Sequence, residues 1–222
     1  MSQDVIGTLQ EQLTQTRHDI LNTWESGERS YYNAFEDDLL ESDIKHHHLR
    51  QGDAMPSFTL PDHQGVERHS KDLLSDGWLV LTFYRGQWCP FCNMQLRALE
   101  RSLQSIRKIP ATLVAVSPEL PDHAWDSVQK NALSFPVLSD IGNKVGRQFN
   151  IVYKIPPYLH HLYNKYGIHI EHYNGEGELY LPMPATFVID QQGIVRMASV
   201  NAHAHERPDP GEVVKFLKEA TH

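Results

Sequence analysis

Residues 78–92 read Trp-Leu-Val-Leu-Thr-Phe-Tyr-Arg-Gly-Gln-Trp-Cys-Pro-Phe-Cys, and this stretch decides the reading of the chain. Trp78 to Tyr84 has almost no polar interruption, which predicts a central strand covered on both faces. Arg85-Gly86-Gln87 makes a loop. Beyond it Leu96, Leu99, Leu103 and Ile106 recur at helical spacing. Cys89 and Cys92 therefore stand where a buried strand hands over to a helix.

Two cysteines separated by two residues reach disulfide geometry within one turn at a helix start. The first amides of a helix lack partners and carry partial positive charge. A thiolate at Cys89 is stabilised there, so its pKa is expected to fall. Pro90 opens the helix without losing a needed donor, and Arg85 adds positive charge. Cys89 is the expected nucleophile at the mouth of the helix. Cys92, one turn in and less exposed, is the expected resolving thiol. With a peroxide, Cys89 becomes a sulfenic acid that Cys92 condenses to a disulfide. With a protein disulfide, Cys89 forms a mixed disulfide that Cys92 releases. Either route needs an external reductant. The competing reading is an inert pair of small core residues; the aromatic-rich run Trp88-Cys89-Pro90-Phe91-Cys92 at this junction argues against it.

Working outward, residues 3–25 read as a helix carrying Val5, Ile6, Leu9, Leu13, Ile20, Leu21 and Trp24, with Ser26-Gly27 as its stop and a second short helix over 31–40. Residues 57–60 form a short extended piece, Gln64-Gly65 a hairpin turn, and 70–75 a helical turn. A strand over 111–116, a helix over 121–130, a strand piece over 135–138 and a helix capped by Asp140 up to Phe149 follow. Residues 185–189 and 194–200 read as a hairpin around Asp190-Gln191-Gln192-Gly193. Asp209-Pro210-Gly211-Glu212 opens the last helix. The division is a helical extension, 1–48, and a main domain, 49–222, with an irregular insertion at 151–181 that includes a short helix from Pro157 to Lys165. The element order gives an α/β fold with a mixed sheet flanked by helices.

The 222 residues are 40% hydrophobic and 22% charged, the profile of a folded globular chain. A net charge of −8 argues against nucleic acid as a partner. No apolar run is long enough to cross a bilayer, and the polar N-terminus lacks a signal-peptide core, so a cytoplasmic location is expected. Two cysteines do not make a secreted disulfide scaffold or the usual zinc site; neither a metal nor a cofactor is implied. His46-His47-His48 reads as a solvated linker.

Pro184 precedes a strand, where proline is tolerated. Tyr84, Trp88 and Phe91 suit either the core or an apolar rim. Arg147 and Arg207 read as surface residues unless one reaches Cys89. Glu119 and Asp122 read as a turn, with proton carriage as the alternative. The aromatic segment 151–181 and the first helix suggest a homodimer.

Several blocks together resemble the peroxiredoxin-like proteins of the alkyl hydroperoxide reductase and thiol-specific antioxidant (AhpC/TSA) family. They are Gly52 to Leu60, Phe83 to Asn93, Phe135 to Asp140, and Pro182 to Asp190. The resemblance implies a thioredoxin-like fold, peroxide or disulfide chemistry at Cys89, a cis proline at Pro184 and thioredoxin-like reductants; a low-molecular-weight thiol is the other donor class. The stretch Asn201 to Arg207 departs from the pattern of close relatives, with His203 and His205 in it, and Arg207 is the candidate match to a second arginine of the family. Gly86 stands three residues before Cys89, where members typically carry threonine or serine. The function expected is a thiol-dependent antioxidant oxidoreductase acting on peroxides. A general thiol-disulfide oxidoreductase and a redox-sensing binding module are the alternatives.

Overall fold

The computed structural model describes residues 7–177 and 179–221. Helix α1 (Leu9–Asn22) starts at a capping box. Thr8 Oγ1 accepts from the Glu11 amide, and the Glu11 carboxylate accepts from the Thr8 amide. The first residues of the longer helix expected here lie outside the described residues. Ser26 does not stop a helix but begins one, α2 (Ser26–Glu41). Glu25 and Glu28 form its capping box, which overrides the Gly27 signal. A short α3 (Asp43–His47) follows.

The hairpin β1 (Thr59–Pro61) and β2 (Glu67–His69) leads through α4 (Ser70–Leu73) into β3 (Trp78–Phe83). Next come α5 (Pro90–Arg107), β4 (Ala111–Ser117), α6 (Pro121–Asn131) and β5 (Val137–Ser139). The helix expected after Asp140 is broken. Gly142 and Asn143 take left-handed backbone, and only α7 (Lys144–Gln148) is α-helical. Asp140 still accepts from the Val145 and Gly146 amides, at 3.0 and 2.8 Å.

Segment 151–181 is more ordered than an irregular insertion. It holds β6 (Val152–Lys154), α8 (Pro157–Lys165), α9 (Ile170–Asn174) and β7 (Tyr180–Pro182), with β6 and β7 paired antiparallel. The chain ends in β8 (Ala185–Ile189), β9 (Val195–Val200) and α10 (Pro210–Ala220), the last capped by Asp209.

The central sheet runs β5-β4-β3-β8-β9. β3, β4 and β5 are parallel, and β8 and β9 are antiparallel to their neighbours, so the sheet is mixed as expected. β3 lies in the middle, and its side chains alternate between two apolar layers. Leu79, Leu81 and Phe83 pack with the α2, α7 and α8 side; Val80 packs with α5, α6 and α10. Each such aliphatic side chain stabilises the fold by roughly 1.5–3 kcal/mol on burial. Leu96, Leu99, Leu103 and Ile106 of α5 are all buried as their spacing predicts.

α1 spans both layers, with Leu9 and Leu13 in one and Leu21 in the other. Beyond its end Trp24 stacks on Tyr166 at 5.2 Å and meets Tyr32 edge-on at 5.3 Å; Phe35 of α2 lies 5.5 Å from Tyr153. Lys165 pairs with Glu25 and Glu28 around this corner. Much of the aromatic surface of these segments is therefore covered within one chain, while Tyr31 and Tyr158, 5.9 Å apart, stay exposed. Among the described residues no helix is long and apolar enough to cross a membrane.

Candidate active site

The local chain path sets the cysteines. β3 ends at Phe83, and the Tyr84 amide still donates to Val116 O. Gly86 then takes φ +145°, a conformation that side chains rarely adopt. A Cβ there would sit 2.5 Å from Trp88 Nε1 and 2.9 Å from Glu119 Oε1. The tight turn closes with the Cys89 amide donating to Gly86 O at 3.1 Å. Cys89 is the N-cap of α5, Pro90 its first helical residue, and Cys92 lies in its first turn. The helix-start reading of the pair is correct.

The two thiols are free, and their sulfurs lie 2.8 Å apart. Arg85 Nη2 donates to Cys89 Sγ at 3.2 Å, and Arg207 Nη2 to Cys92 Sγ at 3.5 Å. Burial pushes the Cys89 thiol up. The hydrogen bond from Cys92, then the charges of Arg85 and Arg207, outweigh burial and hold Cys89 well below the usual thiol range. Burial and the neighbouring Cys89 sulfur push Cys92 well above it. One thiol is thus disposed to ionise and the other to keep its proton, which is the division of labour a nucleophile and a resolving thiol need.

Three expectations need correction. Cys89 is not open at a helix mouth: both cysteines have 0% exposure. Their surroundings are cationic and hydrogen-bonding, not simply apolar, because Arg85 and Arg207 are buried with them. Arg207 is accordingly no surface ion-pair residue; it is 6% exposed and aimed at the sulfurs. Pro184 does not follow a cis bond, since the described residues contain no cis peptide. A trans bond is the ordinary preference. Pro184 O accepts from the Asn201 amide at 3.1 Å. Ala185, the next residue, pairs with Phe83, so Pro184 lies at the sheet end that carries the cysteine loop.

Trp88 is half-buried beside the site. Its ring lies 5.7 Å from that of Tyr163, with the Arg85 guanidinium 5.4 Å from the indole centroid. Tyr163 also takes a hydrogen bond from Arg85 at 3.4 Å. Arg147 goes elsewhere, over the Tyr180 ring at 4.2 Å. A cavity of about 250 Å³ adjoins the loop, walled by Ile20, Leu21, Trp24, Tyr32, Trp88 and Tyr163.

Sequence reasoning undervalued Glu119. It is fully buried and braces the loop: Oε1 accepts from the Gln87 amide at 2.7 Å, and Oε2 from Tyr84, Ser117 and Ser127. Burial raises its carboxyl to about 7 despite these donors. Its position directly after a buried strand was the only local clue. Tyr163 carried no signal, because its contact with Arg85 spans 78 residues.

The model of the AhpC/TSA family matches residues 51–198, more than half of the chain. The chain belongs to the AhpC/TSA family. This AhpC/TSA protein is 29% identical to peroxiredoxin Bcp of Escherichia coli over 103 residues, 46% of this chain and 65% of that protein. The chain thus spans just under two thirds of that relative's length. It is 27% identical over 174 residues to the chloroplastic peroxiredoxin Q of Arabidopsis thaliana, covering 78% of this chain and 68% of that one. Among solved structures, the peroxidoxin BcpB of Mycobacterium tuberculosis superposes with a TM-score of 0.63 at 22% identity, covering 79% of this chain and 99% of that one. The bacterioferritin comigratory protein of Xanthomonas campestris, described with an alkyl peroxide reduction activity, gives 0.59 at 18% identity, covering 74% and 92%. These likenesses bear out the thioredoxin-like, peroxiredoxin-type fold.

Proposed function

We propose that this AhpC/TSA protein is a thiol peroxidase working through Cys89 and Cys92. The observation that carries the proposal is the placement of Cys89 Sγ between Arg85 Nη2 and the Cys92 thiol, at 3.2 and 2.8 Å. The Cys89 thiolate attacks the terminal peroxide oxygen, the O–O bond breaks, and the departing alkoxide or hydroxide takes a proton. Cys89 is left as a sulfenic acid. The Cys92 thiol then displaces its hydroxyl as water, forming the disulfide. An external dithiol, or two equivalents of a small thiol, returns two electrons and two protons. A thioredoxin-like protein is the donor class that fits.

The buried donors Arg85 Nε and Trp88 Nε1 have no partner among the described residues. Peroxide oxygens would meet such a need, since unpaired buried donors are costly. The apolar cavity beside Trp88 suits an organic hydroperoxide, in line with the alkyl peroxide activity described for the Xanthomonas neighbour.

Gly86 favours a second reading. The hydroxyl carried there by typical members is absent, which brings the pair closer to thiol-disulfide exchange on protein substrates. Stopped-flow oxidation of the reduced protein decides. Peroxide oxidation far faster than that of a free thiol, abolished in Cys89→Ser, supports the peroxidase. Free-thiol rates with hydrogen peroxide and organic hydroperoxides, together with reduction of insulin disulfides, would overturn it in favour of exchange.

A further inference from the structure

Glu36 occupies the apolar stripe of α2, between Tyr32, Phe35 and Leu39, and is 1% exposed. A carboxylate in that position is costly unless paired. It is fully engaged. Arg17 of α1 donates to Oε2 at 2.9 Å, His203 Nδ1 lies 3.4 Å from the same oxygen, and the Ala204 amide donates to Oε1 at 3.1 Å. Burial pushes the carboxyl up, but Arg17, the Ala204 amide and His203 together hold it below its ordinary range, so it stays ionised.

Two of these partners belong to the segment joining β9 to α10, which has no regular structure from Asn201 to Asp209. Gln10 of α1 grips the same segment at its other end. Its side chain donates to His205 O at 3.2 Å and accepts from the Arg207 amide at 3.3 Å. At the second of these anchors the chain delivers Arg207 to Cys92 Sγ. The guanidinium is buried with Nε and Nη1 unpaired, and it faces a second cation, Arg85. Left to itself, such a side chain would turn outward to water. Something must hold it inward, and the bonds that do so come largely from α1 and α2.

We propose that Glu36 is a positioning residue of the redox site: with Gln10, it fastens the Ala204–Arg207 segment so that Arg207 faces the cysteine pair. The N-terminal helices lie outside the family-matched residues 51–198, yet on this account they complete the site. The inference rests on the reading that Cys89 reacts as a thiolate.

The test is a thiol titration of the full-length reduced protein, followed by absorbance at 240 nm against pH. It is run on the wild type, Glu36→Ala, Arg207→Met and the double variant. The lower transition reports Cys89. Glu36→Ala is expected to raise it by about one pH unit, as loss of a nearby opposite charge does. Arg207→Met raises it at least as much, and the double variant goes no further than Arg207→Met alone. A Glu36→Ala transition equal to the wild type's, or one that adds in full to that of Arg207→Met, overturns the proposal. If Glu36→Ala is too unstable to titrate, Gln10→Ala at an exposed position serves instead. A smaller rise, absent in the Arg207→Met background, supports the proposal, and no rise overturns it. Peroxide turnover plays no part in this readout. Failure of the peroxidase reading would appear as slow peroxide oxidation with the titration shifts intact.

Discussion

Replacing Arg85 by methionine removes the charge nearest the nucleophile while keeping most of the volume. Arg85 Nη2 lies 3.2 Å from Cys89 Sγ, and both groups are buried. At an effective dielectric of about 20, two unit charges at that distance attract by about 5 kcal/mol. A hydrogen bond to a charged group contributes at least about 1.5 kcal/mol. One pKa unit corresponds to about 1.4 kcal/mol, so these bounds place the rise in the Cys89 pKa between about one and about four units. The sign follows from the charge: without the cation the thiolate loses its partner, and the thiol keeps its proton to higher pH. The assay is the rate of iodoacetamide alkylation against pH, with mass spectrometry locating the label on Cys89. The midpoint of the rate profile should move up by at least one unit, with the limiting rate at high pH largely retained. A midpoint that stays in place or moves down would show that Arg85 does not set the ionisation of Cys89.

Cys92→Ser should still be oxidised once by peroxide but should accumulate sulfenic acid, read by dimedone labelling, and lose turnover with thiol donors; sustained turnover would remove Cys92 from the resolving role. Gly86→Ala forces a Cβ against Trp88 and Glu119 at positive φ and should destabilise the fold by about 1–3 kcal/mol in urea titrations; an unchanged midpoint would mean that the turn relaxes freely. Glu119 is raised from 4.5 to about 7 on folding, so its contribution to stability is complete below about 4.5 and is lost as pH rises through about 7, about 3 kcal/mol in all. Glu119→Gln should therefore flatten the decline in the urea midpoint between pH 5 and 8, whereas an identical pH profile would show that another group governs it.

The parts of the fold legible in the sequence are those whose signal is local. β3 announces itself as an unbroken apolar run, and α5 as leucines at helical spacing behind Pro90. The cysteine pair follows from their junction, and so does a lowered Cys89 pKa; its main causes, the Cys92 thiol and the charges of Arg85 and Arg207, come from the folded site. Other features depend on distant partners. β6 and β7 are three residues each and pair across two helices, so neither shows a period. Glu36 looks like one more acidic residue of α2 until Arg17, His203 and Ala204 close around it. Arg207 follows a histidine-rich loop with no hydrophobic pattern, and the contacts that α1 and α2 make with its segment span more than 160 residues of chain. The family resemblance anticipated a second arginine there, but it anticipated a cis Pro184 too, and the described residues hold no cis peptide.

The complete enclosure of both sulfurs makes admission a separate kinetic step from reactivity. If only a small fraction of molecules is open at any moment, the observed rate is the intrinsic rate scaled by that fraction. Substitutions in the walls around the loop then change how often the gate opens while leaving the nucleophile's ionisation alone. A slim electrophile and a bulky one, applied side by side, would report the two quantities independently.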